Sequence, residues 1–371
     1  EIKFIHTADW HLGAPFSFLP DGKKQLRRSE LRLTAAKIFA LCKEKQADFL
    51  IISGDIFENN RVSDNDFAAF FEGVKSIPET NVIAVCGNHD PLTLDSPFLN
   101  LDLPENLHVF GTQTECIPFK DKGVCFYGKS FKDVYMQENT FAPTVDDSLI
   151  NIGVLHGDIG GSANYNPISR AFLQNCNMDY LALGHIHSYI KPERAGSTYF
   201  AYPGCPEPHG FDEIGEKGVI FAALSKNSFN YEFIPTALRI CAVLPADVSA
   251  AQNSAQAAVI ATDTVKGEYT REFEKNLYKI ILCGNTDDGV CIDRNEVEAR
   301  IAENVFFAKV SNKTSPKINI ELLKKEKSLK GEFVRVMLKR ISEHPLDEQK
   351  ITDAMHIGLR AFSSEVKYDE D

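Results

Sequence analysis

Short apolar runs alternate with longer stretches of helical periodicity over the first hundred residues of this chain. Three of the runs have the length and composition of buried strands: 2–7, 49–53 and 81–86. Apolar residues repeat at helical spacing within about 23–45, and Ser63 fits the N-cap of a second helix that ends near Lys75. This alternation is typical of an α/β fold.

Beyond residue 100 the pattern is dominated by strands. Further short strands are predicted near 108–110, 115–119, 124–127, 149–155, 180–183, 219–224 and 229–235. Alternating strands and helices early in the chain, followed mostly by strands, predict a two-sheet α/β sandwich with helices on the outside. We assign residues 1–235 to this sandwich.

After residue 235 the pattern changes twice. Strands are predicted at 238–244, 277–283, 306–310 and 317–320, helices at 246–261 and 293–304, and a polar connection at 262–274. These elements predict a small α+β domain over residues 236–325. Residues 326–371 are amphipathic and helical, with two apolar groups separated by His344-Pro345. This tail either packs on the rest of the chain or docks a partner helix.

Composition narrows the classes of function. No apolar run approaches the roughly 20 residues that span a bilayer, and no basic and apolar leader opens the chain, so neither a membrane contact nor a signal peptide is expected. The nine cysteines lack C-x-x-C spacing, which favours reduced thiols and a cytoplasmic location. The net charge of −12 weighs against nucleic acid as a partner, although a metal site concentrates positive charge locally.

Metal-ligating residues follow five of the predicted strands. The segments are Asp9-Trp10-His11, Gly54-Asp55, Gly87-Asn88-His89-Asp90, His156-Gly157-Asp158 and Gly184-His185-Ile186-His187. Asp, Asn and His are ligands for borderline divalent cations such as manganese, iron and zinc. Loops at strand ends can direct such side chains into one crevice, so the sequence predicts a hydrolase with two metals. His6 is expected to be an ordinary surface or core residue rather than a ligand.

The ordered set resembles the calcineurin-like metallophosphoesterases, whose pattern is D-x-H, G-D, G-N-H-D/E, H followed by G, and G-H-x-H. The match covers about the first two-thirds of the chain. Four further segments are similar to SbcD-type, YhaO-like DNA repair exonuclease subunits: 6–13, 54–57, 202–208 and 213–218. In the third of these, 202–208, a cysteine stands at position 205.

The resemblance implies a role for each candidate residue. Metal one would be bound by Asp9, His11, Asp55 and His187, and metal two by Asp55, Asn88, His156 and His185. Asp55 would bridge by giving one oxygen to each metal, and the shared water would attack phosphorus as hydroxide. His89 would protonate the departing sugar oxygen, while Asp90 and Asp158 would orient ligands. Manganese is the favoured metal, with iron and zinc as alternatives.

Glu58 departs from the family pattern. SbcD-like nucleases usually carry a histidine three residues after the bridging aspartate, and here that position is Glu58. A carboxylate there would repel phosphate unless it is protonated, turned away or bound to another group. We therefore expect Glu58 to contact either the substrate or a metal ligand.

As to function, the resemblance implies a metal-dependent DNA exo/endonuclease that acts in DNA repair with an SMC-like ATPase subunit. The added α+β domain would cap the DNA, the helical tail would grip the ATPase coiled coil, and a homodimer is compatible with this arrangement. Two alternatives stay open. One is a phosphoesterase for small phosphodiesters, nucleotides or phosphomonoesters. The other is a catalytically weak scaffold, for which Glu58 is the only support.

Overall fold

Two six-stranded sheets form the core of this computed structural model, which describes residues 1–160, 164–287, 289–317 and 319–362. The first sheet has the order β14-β13-β1-β2-β3-β4, with β1 Ile2–Thr7, β2 Phe49–Ser53, β3 Asn81–Val85, β4 Leu107–Val109, β13 Gly218–Leu224 and β14 Phe229–Pro235. The second has the order β11-β12-β10-β7-β6-β5, with β5 Glu115–Phe119, β6 Val124–Gly128, β7 Ile150–His156, β10 Tyr180–Gly184, β11 Ile190–Ala195 and β12 Thr198–Tyr202.

The remaining elements are helices and three smaller sheets. The helices are α1 Asp21–Lys45, α2 Asp64–Lys75, α3 Pro97–Asn100, α4 Arg170–Asn175, α5 Ser254–Glu268, α6 Arg294–Ala302, α7 Ile320–Leu323, α8 Leu329–Glu343 and α9 Glu348–Phe362. The smaller sheets pair β8 Asp158–Ile159 with β9 Pro167–Ile168, β15 Cys241–Asp247 with β16 Leu277–Cys283 and β18 Phe307–Asn312, and β17 Asn285–Thr286 with β19 Ser315–Pro316.

The two large sheets pack face to face through one apolar cluster. It includes Phe4, Phe49 and Ile83 from the first sheet and Phe126, Ile152 and Tyr180 from the second. Residues of α1 and α2 cover the outer face of the first sheet, and Leu173 of α4 packs with the outer face of the second. This arrangement is the two-sheet α/β sandwich with outer helices that the sequence predicts, and the prediction is confirmed.

His6 shows how a polar group is accommodated between the sheets. Its ring nitrogens lie 2.9 Å from the Tyr180 hydroxyl and 3.0 Å from Ser53 Oγ. Burial lowers the pKa of His6 to about 3, so the ring is neutral at physiological pH. Of the two ordinary roles expected for His6, the structure shows that of a hydrogen-bonded core residue.

Parallel pairing explains why the polar segments meet. β1, β2 and β3 run parallel to one another in the first sheet, as do β6, β7 and β10 in the second. Their carboxyl ends therefore lie at a common edge, and the loops that follow them can converge there. Every predicted metal-ligating segment follows one of these strands.

Four predicted elements differ from the structure, the first being the strand predicted at 238–244, which is β15 at Cys241–Asp247. β15 extends to Asp247 and α5 spans Ser254–Glu268, so the predicted helix 246–261 and connection 262–274 are both displaced. Asn253 Oδ1 accepts a hydrogen bond from Gln256 N, and this cap fixes the start of α5. The prediction of a strand at 317–320 is wrong at Ile320, which is the first residue of α7. Asn319 is the N-cap of this helix, and its side chain accepts a hydrogen bond from Leu322 N. Residue 318 lies outside the described residues.

The chain divides into two compact units. The first comprises Glu1–Leu244, Tyr269–Lys279 and Asn304–Lys309, and the second comprises Pro245–Glu268, Ile280–Glu303 and Val310–Asp371. Both large sheets belong to the first unit. The predicted division at 235 and 325 stays a prediction, and residues 363–371 of the predicted tail lie outside the described residues.

The second unit contains the helical tail. α8 and α9 lie on either side of a short 3-10 turn, Pro345–Asp347, as the proline predicts. Their buried contacts are made by Val334, Met337, Met355 and Leu359. Within the described residues, no helix is both long enough and apolar enough to cross a bilayer.

Candidate metal centre

Four of the predicted ligands have unusual backbone conformations. Asp9, His11, Asp55 and His185 have positive φ angles of 53°, 45°, 51° and 99°. Residues other than glycine rarely adopt this region, and the strain is typical of functional sites. The surrounding hydrogen bonds hold it: Asp9 N donates to the Gly54 carbonyl, and His11 N donates to the Asp55 carbonyl, each at 3.0 Å.

Two glycines allow the loops to approach one another. A Cβ at Gly87 would lie 2.1 Å from Asp55 Oδ1, and a Cβ at Gly184 would lie 1.9 Å from the Ser53 carbonyl oxygen. Any larger residue would displace the backbone of the neighbouring strand end. The glycines of the G-N-H-D and G-H-x-H segments are therefore required by packing around the ligands.

Asp55 lies at the centre of the cluster. Its Oδ1 accepts a hydrogen bond from His89 N at 2.9 Å. Oδ2 lies 3.2 Å from His156 Nε2 and 3.7 Å from His11 Nε2. It is buried and accepts no hydrogen bond from any described residue. A buried carboxylate oxygen without a donor is the arrangement expected where a cation binds.

A second set of acceptors faces His156. Its Nδ1 lies 2.8 Å from the Ser53 carbonyl oxygen, an acceptor, so Nδ1 carries the proton and Nε2 is free to act as a ligand. That Nε2 lies 3.1 Å from Asn88 Oδ1, which is also 3.2 Å from His185 Nδ1. Burial lowers the pKa of His156, but the Asp55 carboxylate outweighs it and raises the pKa to about 9. Positive charge is therefore strongly favoured at this position.

His11 and His187 meet in a comparable way. Their Nε2 atoms are 3.2 Å apart. The Nδ1 of His11 lies 3.0 Å from Glu58 Oε2, and the Nδ1 of His187 lies 2.5 Å from Glu213 Oε1. Since both carboxylates are acceptors, both Nδ1 atoms carry protons, and in neutral rings the two Nε2 lone pairs face each other. This pairing is unfavourable unless a proton or a metal ion lies between them.

The donor set therefore fits divalent cations. Ligand atoms of Asp9, His11 and His187 lie within 4.8 Å of one another, as do those of Asp9, Asp55 and His156. Asp9 also fixes the last loop, because its carboxylate oxygens accept from His185 N at 3.0 and 3.2 Å. All seven predicted ligands thus occupy one cluster. Their division between two metals stays a prediction.

His89 and Glu58 form the outer side of the cluster. The His89 side chain is 41% exposed, and its Nδ1 lies 3.3 Å from the Glu58 carbonyl oxygen. Glu58 is bound to His11, which is one of the arrangements expected for a carboxylate beside a phosphate site. Burial alone would raise the pKa of Glu58, but the hydrogen bond from His11 lowers it.

Asp90 and Asp158 lie in different surroundings. Asp90 is fully buried and accepts hydrogen bonds from the backbone N–H groups of Gly87, Ile56 and Phe57 at 2.8, 2.8 and 3.2 Å. It therefore joins the loops that carry Asp55 and Asn88, and burial together with the charge of Asp55 raises its pKa to about 7. Asp158 N donates to the carbonyls of Tyr165 and Asn166.

Glu213 and His209 are site residues that the sequence analysis did not assign. Besides His187, Glu213 accepts from His209 N at 2.6 Å and from Cys205 Sγ at 3.2 Å. The His209 ring centroid is 5.0 Å from that of His11. These residues lie in the loop between β12 and β13, where neither periodicity nor strand ends indicate a ligand. Their sequence signal was the family resemblance of 202–208 and 213–218: Glu213 begins the second segment, and His209 lies between the two.

A buried ion pair anchors the same loop to α1. Glu207 is fully buried and accepts from Arg27 Nη1 at 2.7 Å, Thr34 Oγ1 at 2.9 Å and Leu238 N at 2.6 Å. Arg27 also donates to Glu30 Oε2 at 2.5 Å. The loop that supplies Glu213 is therefore fixed against the helix that covers the first sheet.

Comparison with known proteins agrees with this geometry. Residues 2–189 match the family model described as calcineurin-like phosphoesterase. The chain is 30% identical over 248 residues to the "Uncharacterized metallophosphoesterase YhaO" of Bacillus subtilis, an alignment that covers 63% of this chain and 60% of the relative. It is 24% identical over 273 residues to a subunit of the SbcCD nuclease of Staphylococcus epidermidis, covering 63% of this chain and 69% of the relative.

Among solved structures, the crystal structure of TT1561 of Thermus thermophilus is similar over 62% of this chain and 98% of its own. The identity is 12% and the TM-score is 0.37.

The central position of Asp55 leads to a prediction about the metal content of variants. Asp55→Asn should lose most of the bound metal, since Oδ2 faces both groups of ligands. His89→Ala should retain full metal content while kcat falls by about 10²–10⁴-fold, as expected for loss of a general acid. Elemental analysis of the purified variants, together with phosphodiesterase assays, tests both. Full metal content in Asp55→Asn would contradict the assignment.

A second prediction concerns the carboxylate behind His187. Glu213→Gln removes the charge that orients and polarises the imidazole, and it should weaken manganese binding by about 10–100-fold. Asp212→Asn changes the exposed neighbouring carboxylate and serves as the matched control. Calorimetric titration of the metal-free proteins with Mn²⁺ measures the difference. Equal affinities for Glu213→Gln and the control would show that Glu213 does not support a ligand.

Proposed function

This chain belongs to the calcineurin-like phosphoesterases, and we propose that it is a metal-dependent DNA exo/endonuclease. The observation that carries the proposal is the convergence of acceptor atoms on Asp55 Oδ2, beside an exposed histidine. Similarity to a relative named as part of a nuclease supports DNA as the substrate. Both alignments cover only part of each protein, so DNA as the substrate of this chain is a proposal.

In the proposed reaction, Asp9, His11, Asp55 and His187 hold one cation, and Asp55, Asn88, His156 and His185 hold the other. When bound, two such cations supply a water nucleophile at neutral pH and offset negative charge on the phosphate. Manganese suits this mixed set of carboxylate, amide and imidazole ligands. The amide oxygen of Asn88 is neutral, which limits negative charge in a site that must accept an anion.

His89 is proposed to deliver the proton to the leaving group. Its backbone N–H is bound to Asp55 Oδ1 and its Nδ1 faces the Glu58 carbonyl, so the position of the ring is fixed from two sides. Nε2 is then the ring atom available to the departing sugar oxygen. Because the side chain is 41% exposed, a phosphodiester can reach it from solvent.

The contact between Glu58 and His11 supports an active enzyme over a weak scaffold. A carboxylate directed at the substrate would repel phosphate, whereas the Oε2 of Glu58 is engaged by a ligand imidazole at 3.0 Å. In this position Glu58 raises the basicity of His11 and holds its tautomer. The residue that departs from the SbcD pattern therefore has a place within a functioning centre.

Exposed apolar residues of the helical tail support the proposal that an ATPase binds this chain. Several large apolar side chains of α8, α9 and the turn between them are exposed: Leu329 73%, Val336 52%, Leu346 102% and Ile357 68%. Exposed apolar side chains on helices are suited to contact with a coiled coil of an SMC-like ATPase, where burial contributes about 25 cal/mol per Å² before ordering costs. A complex acting on chromosomal DNA would be cytoplasmic. Homodimer formation stays a prediction.

The substrate is tested by parallel assays of the full chain with Mn²⁺. We expect cleavage of single-stranded and duplex DNA in addition to bis(p-nitrophenyl) phosphate, and loss of all three activities with EDTA and in Asp55→Asn. Efficient hydrolysis of the small diester without any DNA cleavage would instead support a phosphoesterase for small substrates. Absence of both activities in the metal-loaded protein would support the scaffold alternative.

The partner is tested by two substitutions on exposed tail residues. Leu346→Asp with Ile357→Asp should abolish capture by an SMC-like ATPase while melting temperature and basal hydrolysis stay unchanged, since neither side chain is buried. Leu94→Asp, at a residue that is 90% exposed in the first unit, is the control. Undiminished capture of the ATPase by the double variant would reject this face as the docking surface.

A further inference from the structure

An open cleft of about 500 Å³ adjoins the metal centre in the first unit. Its lining includes Phe18, His209, Phe211, Lys279 and Lys309. His209 forms the wall shared with the metal centre, because its ring centroid lies 5.0 Å from that of His11 and 5.8 Å from that of His187. The volume lies within the range of sites that bind a nucleotide-sized ligand.

Aromatic rings form one side of the cleft. Phe18 and Phe211 are half-buried, with ring centroids 5.6 Å apart. Phe307 supports both from behind the lining, at 6.3 Å from Phe211 with nearly parallel rings and at 5.7 Å from Phe18. The rings are therefore held in fixed orientations by one another. A fixed aromatic surface that is partly accessible is suited to stacking of a planar base.

Two lysines provide positive charge in the cleft. Lys279 lies in β16 and Lys309 in β18, and neither has an ion-pair partner among the described residues. Two acidic residues also line the cleft, but Glu213 is engaged by His187 and His209, which leaves Asp212 at the exposed rim. The chain as a whole has a net charge of −12, so two ammonium groups without ion-pair partners are an exception to the overall negative charge.

We propose that this cleft binds a nucleotide of single-stranded DNA that flanks the scissile phosphate. The base stacks on Phe211 with its edge against Phe18, since the two rings are inclined by 54°, and the backbone phosphates contact Lys279 and Lys309. Aromatic platforms combined with a positively charged groove bind single strands without sequence preference. The inference rests on the nuclease function proposed above and specifies which part of the substrate lies beside the metal centre.

The test uses the full chain and a short fluorescent single-stranded phosphorothioate oligodeoxynucleotide. Lys279→Gln with Lys309→Gln should reduce the slope of log Kd against log salt by about 1.4, at about 0.7 for each phosphate that a lysine no longer neutralises. Phe211→Leu, which keeps an apolar side chain, should weaken binding by at least about fivefold. For both, kcat/KM for the same oligonucleotide with ordinary phosphodiester linkages should fall relative to that for bis(p-nitrophenyl) phosphate.

The control variant is Lys43→Gln. Lys43 is an exposed lysine in the last turn of α1, directly before the amino end of β2 and thus away from the carboxyl-end loops. It should leave affinity and salt slope unchanged, and melting temperatures verify that all variants are folded. Wild-type affinity and slope in the cleft variants, with DNA still bound and cleaved, would overturn the cleft alone. Failure of the wild type to bind or cleave DNA, with small-diester hydrolysis intact, would overturn both proposals.

Discussion

The structure depends on acceptor atoms that face one another at the carboxyl edge of two sheets. Hydrogen bonds to carbonyl or carboxylate oxygens fix protons on the Nδ1 atoms of His11, His156 and His187, and so direct three Nε2 atoms inwards. There the Nε2 atoms of His156 and His11 lie 3.2 and 3.7 Å from Asp55 Oδ2, which accepts no hydrogen bond from a described residue. The Nε2 atom of His187 lies 3.2 Å from that of His11. Only positive charge can stabilise this arrangement. A phosphoester, itself an anion, can then be accepted at a centre whose own ligands are negative.

The rest of the first unit keeps these atoms in place. Left-handed backbone at four ligand positions is unfavourable by itself, at roughly 1–3 kcal/mol for each residue. The apolar contacts between the sheets, such as Phe49 against Phe126 at 4.7 Å, stabilise the strands from which the loops emerge. Gly87 and Gly184 then let the loops approach without steric conflict. The core thus provides the rigidity on which the geometry of the centre depends.

Much of the fold and the centre could be predicted from sequence, and the exceptions have a common cause. Strands such as Phe49–Ser53 are marked by local apolar runs, and the residues that follow them in parallel strands share one edge. Glu213 and His209 gain their positions from a loop whose course depends on tertiary contacts, so neither hydrophobic periodicity nor a strand end indicates a role for them, although a family resemblance covers the neighbouring segments. The start of α5 depends on a single cap at Asn253, which is a weaker signal than hydrophobic periodicity.

The anchoring of that loop has an evolutionary consequence. Arg27, Glu30 and Glu207 form a charged group that is almost entirely closed to solvent, and Arg239 extends it through Glu30. Removing one member of a buried pair costs about 3–5 kcal/mol because its partner is left charged, whereas replacing both by apolar residues is often tolerated. Single substitutions of Arg27 or Glu30 on α1 would therefore be selected against, although the contacts of these two residues are with each other, the loop and Arg239 and not with a predicted metal ligand. Among related sequences, the charged residues of α1 and those of the loop that carries Glu213 should therefore change together.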